Sequence, residues 1–263
     1  MGLTSAQIPI WIDQSIFPQK PIYNTGQTLR LRTAFDVNRF VEALDQVVAE
    51  NDALRLRFVE SDDLVHQEVM DEVAVNLEYR DFSNHSDPES AAQAWIERLF
   101  WKPFRPDDCP LFHFAVAKVG SDCFLWLQKY HHLIIDAVGR QLVAARVAEI
   151  YDSCDSLSVG SAPPDPEPRS YRRLIELEEQ YRCSRNWAAD EAYWRTRFSD
   201  APDALVRTHP DLSEKARSGR PVRLHCDLPR SSSNALRDLA QKHGSTVFKV
   251  IVGLAWCCFS RLY

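Results

Sequence analysis

The stretch CFLWLQKYHHLIIDAVG, residues 123–139, contains in succession the strand, loop and helix patterns that decide the fold. From Cys123 to Tyr130 aromatic and apolar residues dominate, in the manner of a buried β-strand. Two histidines follow, and Asp136 then stands where it can cap a helix that starts near residue 137. The sequence therefore predicts a strand, a short loop that begins with paired histidines, and a helix with an inward apolar face.

Strands alternate with helices on both sides of this stretch. Apolar residues at helical spacing after Asp36 predict a helix over 37–51, and Asp87 before Pro88 predicts another that ends at Pro103. Alternation predicts strands at Thr28–Thr33, Leu54–Phe58, Leu64–Val69, Val73–Tyr79, Phe112–Lys118 and Cys123–Tyr130. Further helices are expected at 137–151, 169–182, 185–198, 231–243 and 246–262, with a strand at Val222–Leu228.

Composition and charge exclude several classes of function. Acidic residues outnumber basic ones, 37 against 31, and the net charge of −6 leaves no global basic field for a nucleic-acid backbone. Glycine is scarce, at 8 of 263 residues, and no glycine-rich phosphate motif occurs. The start of the chain lacks a leader pattern and the longest apolar run is Val250–Phe259, so we expect a cytoplasmic protein without membrane or nucleic-acid partners. The 7 cysteines include no C-x-x-C pair, which predicts reduced thiols.

The adjacent histidines His131 and His132 are the sharpest chemical feature of the sequence. Neighbouring side chains on an extended strand point to opposite faces, so one ring can face a cleft while the other packs inward. The residues alone leave a buried structural histidine and a catalytic histidine open. A metal site that adds Asp136 is weaker, because adjacent histidines diverge and the spacing implies no further ligand. No G-x-S-x-G elbow indicates a serine nucleophile.

Asp136 itself has two interpretations. It can cap the following helix, where its carboxylate satisfies a free backbone N–H and interacts favourably with the helix dipole. Alternatively, Asp136 pairs with an arginine and so fixes the loop that directs His132 into the cleft. The residues alone favour neither interpretation.

Four motifs together carry a family resemblance. The run His131–Asp136 matches the H-H-x-x-x-D-G signature of the condensation domains of non-ribosomal peptide synthetases. The family's first motif, S-x-A-Q-x-R-x-W, resembles this chain at Thr4, Ala6, Gln7 and Trp11. Its second motif, R-H-E-x-L-R-T-x-F, resembles the chain at Asp52, Ala53, Leu54, Arg55 and Phe58. Its linker-helix motif resembles the chain at Tyr171, Tyr193 and Trp194. The chain is similar to this family from residue 4 to residue 194, most of all to condensation domains of siderophore synthetases.

The resemblance implies an α+β fold, a two-layer α/β sandwich in which helices pack on a mixed sheet, as in chloramphenicol acetyltransferase. The family domain has two such lobes in a V, with the histidine loop, residues 131–136, at their seam. Residues 1–160 are then the N-terminal lobe, 161–220 a linker with helices, and 221–263 the start of a truncated C-terminal lobe. The proline-rich run SAPPDPEP at 161–168 and the uncapped apolar end of the chain agree with this division.

The resemblance also implies a reaction. An acyl or peptidyl group on the 4′-phosphopantetheine thioester of one carrier protein is transferred to the amine of an aminoacyl group on a second carrier. An α-amino group has a pKa of about 8, so a histidine can serve it as a base or as a hydrogen-bond partner. His132 would take this catalytic role, and no metal or cofactor would be bound directly. The partners would be donor and acceptor peptidyl carrier proteins and neighbouring adenylation or carrier domains.

Further site residues follow from the motifs. His131, Asp136 and Arg55 would give structural support to the active loop. Ala137 and Gly139 would lie along the substrate channel.

Three departures from the family pattern weaken the catalytic interpretation. Ala137 stands where the family signature ends in glycine, and an alanine would be strained there at a positive φ. Pro9 stands in place of the arginine of the first motif. Residues 50–52 read E-N-D instead of R-H-E. The alternative hypothesis is a non-catalytic condensation-like interface domain that docks a carrier protein or recruits a tailoring enzyme. A third is a standalone acyltransferase that uses a soluble thioester. With half of the cleft absent, we expect residues 1–263 alone to be inactive.

Overall fold

The computed structural model describes four segments of the chain, residues 1–61, 64–153, 170–200 and 226–262. The chain divides into two compact units, Met1–Trp194 and Arg195–Tyr263. The first unit contains the histidine loop. The division points predicted at 160 and 220, and the proline-rich run 161–168, lie outside the described residues.

The described secondary structure alternates strands and helices, as the sequence predicts. The helices are α1 (Gln7–Ile16), α2 (Val37–Glu50), α3 (Pro88–Trp101), α4 (Ala137–Ser153), α5 (Tyr171–Arg182), α6 (Arg185–Arg197), α7 (Arg230–Lys242) and α8 (Val247–Leu262). The strands are β1 (Asn24–Arg32), β2 (Leu56–Ser61), β3 (Leu64–Val69), β4 (Leu77–Asp81), β5 (Phe112–Gly120) and β6 (Cys123–His131). A short 3₁₀ helix, Asp52–Arg55, precedes β2.

A four-stranded mixed sheet forms the centre of the first unit, with strand order β1-β6-β5-β4. Strand β6 pairs antiparallel with both of its neighbours, whereas β4 and β5 are parallel. A parallel pair needs a crossover connection, and α3 provides it. The α+β class with a mixed sheet is thereby confirmed. Strands β2 and β3 form a separate antiparallel pair.

Hydrophobic clusters cover both faces of the sheet. On one face Phe114 and Trp126 belong to the cluster that also contains the buried residues of α2 and α4. On the other face Ala115 and Leu127 cluster with Trp95 of α3. Alternate residues of a strand point to opposite faces, so consecutive positions serve both clusters. The expected layer of helices on the sheet is present, and α3 adds a layer behind it.

Some element predictions differ from the structure. The apolar periodicity does not predict α1, which is present at Gln7–Ile16. Leu54 and Arg55 lie in the 3₁₀ helix and not in a strand, because Leu54 reaches the core from a tight turn. Strand β4 starts at Leu77, since Val73 and Val75 pack against the core from an unpaired segment. Residues 226–228 of the strand predicted at 222–228 are described, and they are not in a strand.

The second unit contains α7 and α8, joined by a glycine turn. Gly244 has φ +56°, and the N–H groups of Gly244 and Ser245 donate to the carbonyls of Gln241 and Ala240 at 3.1 and 2.8 Å. This is the Schellman arrangement, in which the left-handed position favours glycine. Among the described residues no single helix is long and apolar enough to span a membrane. Taken together, α7 and α8 reach that length and hydrophobicity only as a pair bent by 102°.

Candidate active site

The histidine loop leaves the interior of the sheet, because β6 lies between β1 and β5. The backbone N–H of His132 donates to the carbonyl of Tyr23, which precedes β1, at 2.9 Å. The N–H of Ile134 donates to the carbonyl of His131 at 3.2 Å. These backbone hydrogen bonds therefore anchor the loop independently of its side chains.

The ring of His132 is exposed and lines an open groove of about 910 Å³. Five other elements of the first unit form the walls: Ile10 comes from α1, Glu50 from α2, Leu54 from the 3₁₀ helix, Leu142 from α4 and Tyr171 from α5. The lining is predominantly apolar, as is typical of ligand pockets. The structure thus places His132 at an open groove, as the sequence predicts for a catalytic histidine.

His131 is fully buried beside it, with 0% of its surface exposed. Its Nδ1 accepts a hydrogen bond from the N–H of Leu133 at 3.2 Å, and its Nε2 lies 3.3 Å from Oε1 of Gln14. Burial, followed by the nearby charges of His132 and Lys129, lowers the pKa of His131 to about 4. The ring is therefore neutral at physiological pH and has the inward position that the sequence predicts.

Asp136 has the geometry of a helix cap. Its Oδ1 accepts a hydrogen bond from the N–H of Gly139 at 2.7 Å, in the first turn of α4. Within the described segments no cationic side chain forms an ion pair with this carboxylate. Arg140, one turn further on, directs its guanidinium to Thr25 Oγ1 and to the carbonyl of Gly26 instead. Of the two interpretations of Asp136, the described contacts match the cap.

Arg55 makes no hydrogen bond to the histidine loop. Its guanidinium donates to the carbonyls of Met70 and Asp71, at 2.6 and 3.1 Å, and to Asp52 Oδ1 at 2.8 Å. Asp52 in turn accepts the N–H of Tyr171 at 3.1 Å, at the start of α5. The predicted support of the active loop by Arg55 is therefore not seen. Instead, Arg55 and Asp52 tie the 3₁₀ helix to the segment that follows β3 and to the start of α5. The reason is that residues 54 and 55, expected in a strand, lie in a tight turn.

Ala137 and Gly139 differ in their relation to the groove. Gly139 lines it, and a Cβ at this position would meet Cγ1 of Ile135 at 2.7 Å, so the absent side chain allows the loop to pack on α4. Ala137, also predicted to lie along the channel, is not among the residues that line the groove, because it is exposed at the start of α4. Its φ is not positive. The strain expected for an alanine in place of the family's glycine therefore does not arise.

A family model identifies the family to which this chain belongs. The model described as "Condensation domain" matches residues 1–262. The chain belongs to the condensation domain family. It is 32% identical over 256 residues to the dimodular nonribosomal peptide synthase of Bacillus subtilis (strain 168), an alignment that covers 97% of this chain and 10% of that protein. The resemblance inferred from the four motifs is confirmed.

Solved condensation domains share the fold. A mutant of the starter condensation domain of rhizomide synthetase, in complex with C8-CoA and Leu-SNAC, matches with a TM-score of 0.73 and 33% identity over 80% of this chain and 48% of that one. The first condensation domain of the CDA synthetase matches with a TM-score of 0.80 and 27% identity over 99% of this chain and 61% of that one. The chain therefore spans less than two thirds of either solved domain.

Sequence reasoning missed two glutamines that contact the histidine loop of this condensation domain. Gln7 donates from Nε2 to the carbonyl of Leu133 at 3.0 Å, and Gln14 lies against His131. Both belong to α1, and Gln7 is part of the first family motif. Its place in that motif was the available signal, whereas Gln14 could be found only from its spacing of seven residues, two helical turns, from Gln7.

A second missed feature is an ion pair in the groove wall. Glu50 occupies the place of the motif's arginine, and both of its carboxylate oxygens accept from Arg146 of α4, each at 2.9 Å. The side chains are 14% and 18% exposed, and Arg146 lowers the pKa of Glu50. The departure at residue 50 is thus matched by an opposite charge on α4.

Proposed function

We propose that this condensation-family chain forms the histidine-bearing part of an amide-forming domain of a non-ribosomal peptide synthetase, with His132 as its catalytic residue. The observation that carries the proposal is the opposite burial of two adjacent imidazoles. His131 is enclosed and hydrogen-bonded on both ring nitrogens, whereas His132 is exposed in an apolar groove with its backbone anchored. An imidazole held in this way is available to a substrate amine.

In the proposed reaction, the nitrogen of a carrier-bound aminoacyl group attacks the thioester carbonyl carbon of a second carrier-bound group. A C–N bond forms and the C–S bond breaks; the amine gives up one proton, and the leaving pantetheine sulfur takes one up. With a pKa of about 8, an α-amino group is mostly protonated at neutral pH and must be neutral to attack. The neutral imidazole of His132 accepts the proton or holds the neutral amine by a hydrogen bond.

The proposed substrates are an acyl or peptidyl donor and an aminoacyl acceptor, both on 4′-phosphopantetheine arms. Their carrier proteins, with the adenylation domains that load them, are the proposed partners. The rhizomide synthetase domain supports this choice, since its structure contains C8-CoA and Leu-SNAC, an acyl and an aminoacyl thioester. Orientation of two tethered substrates contributes to the rate in addition to His132.

A non-catalytic interface domain is the second candidate function. The observation that favours it is the cap geometry of Asp136, whose carboxylate makes no ion pair in the described segments and so leaves the loop without the arginine support expected of it. A domain of this kind would bind a carrier protein or a tailoring enzyme and form no amide.

The test is the substitution His132→Ala in a synthetase that carries this chain, assayed with both carriers loaded. We expect amide formation to fall at least about tenfold, in line with the loss of a general base or positioning imidazole. His85→Ala is the matched control, because His85 is an exposed histidine that does not line the groove. Turnover that is unchanged by His132→Ala would reject the catalytic assignment. Carrier binding without any amide formation in the unmodified protein would establish the interface function instead.

A further inference from the structure

Helix α1 is unusual because its most deeply buried residues are polar, although Ile10 and Trp11 also pack against the core. Its two buried side chains are Gln7 and Gln14, 3% and 1% exposed. Seven residues are close to two helical turns, so both amides emerge from the same face. Apolar residues normally fill such positions, and a buried amide is tolerated when its hydrogen bonds are satisfied. Both amides find partners in the histidine loop.

The orientation of the Gln7 amide follows from its neighbours. Its Oε1 accepts from the N–H of Thr4 and from Nε2 of Gln67, each at 2.9 Å. Its Nε2 then donates both hydrogens, to Oε1 of Gln67 at 2.9 Å and to the carbonyl of Leu133 at 3.0 Å. A flipped amide would place oxygen against oxygen at Leu133. The Gln7 amide is therefore a fixed donor to the loop.

The orientation of the Gln14 amide fixes a histidine tautomer. Its Nε2 donates to the carbonyls of Phe17 and Lys20 at 2.8 and 3.1 Å, so its Oε1 is the atom that faces His131. The Nε2 of His131 must then carry the hydrogen, and its Nδ1 keeps the lone pair that accepts the N–H of Leu133. Protonation of His131, or the other tautomer, would remove that acceptor.

We propose that Gln7 and Gln14 are positioning residues for His132, through which α1 holds the loop backbone next to the exposed ring. Leu133, the residue after His132, has its carbonyl bound by Gln7 and its N–H bound by the His131 tautomer that Gln14 selects. The N–H of His132 itself donates to Tyr23. Three hydrogen bonds thus fix the backbone around a free imidazole, and small displacements of a reacting group cost large factors in rate. The kinetic consequence rests on the proposed function, whereas the structural consequence does not.

The structural test uses NMR of the uniformly ¹⁵N-labelled chain, which reports both the histidine rings and the backbone amides. In the unmodified protein we expect the His131 ring shifts of the single Nε2–H tautomer and slow exchange of the Leu133 amide. In Gln14→Leu the Nε2–H tautomer of His131 is no longer preferred. The Leu133 amide then exchanges at least about fivefold faster, which corresponds to the loss of roughly one net hydrogen bond. Gln14→Glu should raise the pKa of His131 and accelerate the same amide, because both ring nitrogens then become donors.

Val47→Ala is the control for a general loss of stability, since Val47 is buried in α2 and belongs to neither the loop nor the groove. It should lower the melting temperature and leave the tautomer and the Leu133 amide unchanged. A wild-type His131 in the Nδ1–H form would overturn the proposal. So would a Gln14→Leu variant that is folded and has wild-type His131 and Leu133 signals.

The kinetic test uses Gln7→Glu, which keeps the acceptor and loses the donor, and Gln7→Met as a second variant of similar size without a charge. In the synthetase assay we expect kcat to fall about tenfold with KM changed less than about twofold. Gln7 borders the groove but is only 3% exposed, so its substitution displaces the loop more than it alters the groove surface. A folded variant with unchanged kcat would overturn the role of Gln7. If His132→Ala leaves turnover unchanged, the proposed function fails, and the NMR result still decides whether the two glutamines hold the loop.

Discussion

Burial of one imidazole makes stability depend on pH at the level of a single residue. The pKa of His131 is lowered to about 4, chiefly by burial and then by the charges of His132 and Lys129. In the unfolded chain a histidine titrates near pH 6.5, so the unfolded state binds more protons between these two values. The stability from a neutral His131 is therefore complete above about pH 6.5 and is lost as the pH falls toward 4.

We expect urea unfolding to report this loss, up to about 3 kcal/mol between pH 7 and pH 4 at about 1.4 kcal/mol per pKa unit. His131→Asn should be less stable at pH 7 and should depend less on pH over the same interval. His85→Ala, an exposed control, should keep the wild-type pH dependence. Equal pH dependence of His131→Asn and the unmodified chain would contradict the assignment.

Asp136 provides a residue-level test of cap against ion pair. Asparagine caps a helix about as well as aspartate, so Asp136→Asn should keep most of the stability, whereas Asp136→Ala should cost about 1 kcal/mol. Denaturant midpoints of the two variants measure the difference. If asparagine proves as damaging as alanine, the capping hydrogen bond is not what stabilises the helix, and the negative charge acts instead through the helix dipole or a cationic partner.

At the scale of elements, the Glu50–Arg146 pair joins the end of α2 to α4 along the groove wall. Removal of Arg146 leaves the mostly buried Glu50 without its counterion, and removal of Glu50 leaves Arg146 with only the exposed Glu149, at 3.3 Å. We therefore expect Glu50→Gln and Arg146→Gln each to cost about 1–3 kcal/mol. The double variant should cost less than the sum of the two. A double-mutant cycle in urea measures this coupling, and strictly additive losses would show that the pair contributes nothing of its own.

The elements that sequence patterns predict are those whose buried face is apolar. α2 is of this kind, with Phe40, Leu44 and Val47 buried at helical spacing. α1 escapes the same reasoning because its two most deeply buried residues are glutamines. In addition, Pro9 resembles a helix breaker, although it stands in the first turn, where no hydrogen-bond donor is needed. Whether a polar side chain is buried depends on its partners in the tertiary structure, and the periodicity of the sequence carries no information about those partners.

The site follows the same rule. The opposite orientation of His131 and His132 was predictable, because adjacent strand residues diverge whatever surrounds them. The partners of Arg55 were not, since they depend on the turn at Asp52–Arg55 and on the approach of α5. Local geometry predicts that one of the two imidazoles faces outward, and the family resemblance assigns that position to His132. The residues that hold it emerge only from the assembled fold.

At the scale of the whole molecule, helices that border the groove carry exposed apolar side chains. Ile12 of α1 is 56% exposed and Leu142 of α4 is 63% exposed, and Ile16 and Val138 on the same helices are also exposed. Large exposed apolar side chains on a soluble chain favour association. We expect the chain alone to self-associate with rising concentration in sedimentation velocity, and Ile12→Lys with Leu142→Lys to shift it toward monomer. Leu64→Lys is the control, because Leu64 is even more exposed, at 73%, but lies on β3, outside the groove. Two results would contradict a role for the groove helices in self-association: a chain that remains monomeric, or a Leu64→Lys variant that is shifted toward monomer as strongly as the two groove variants.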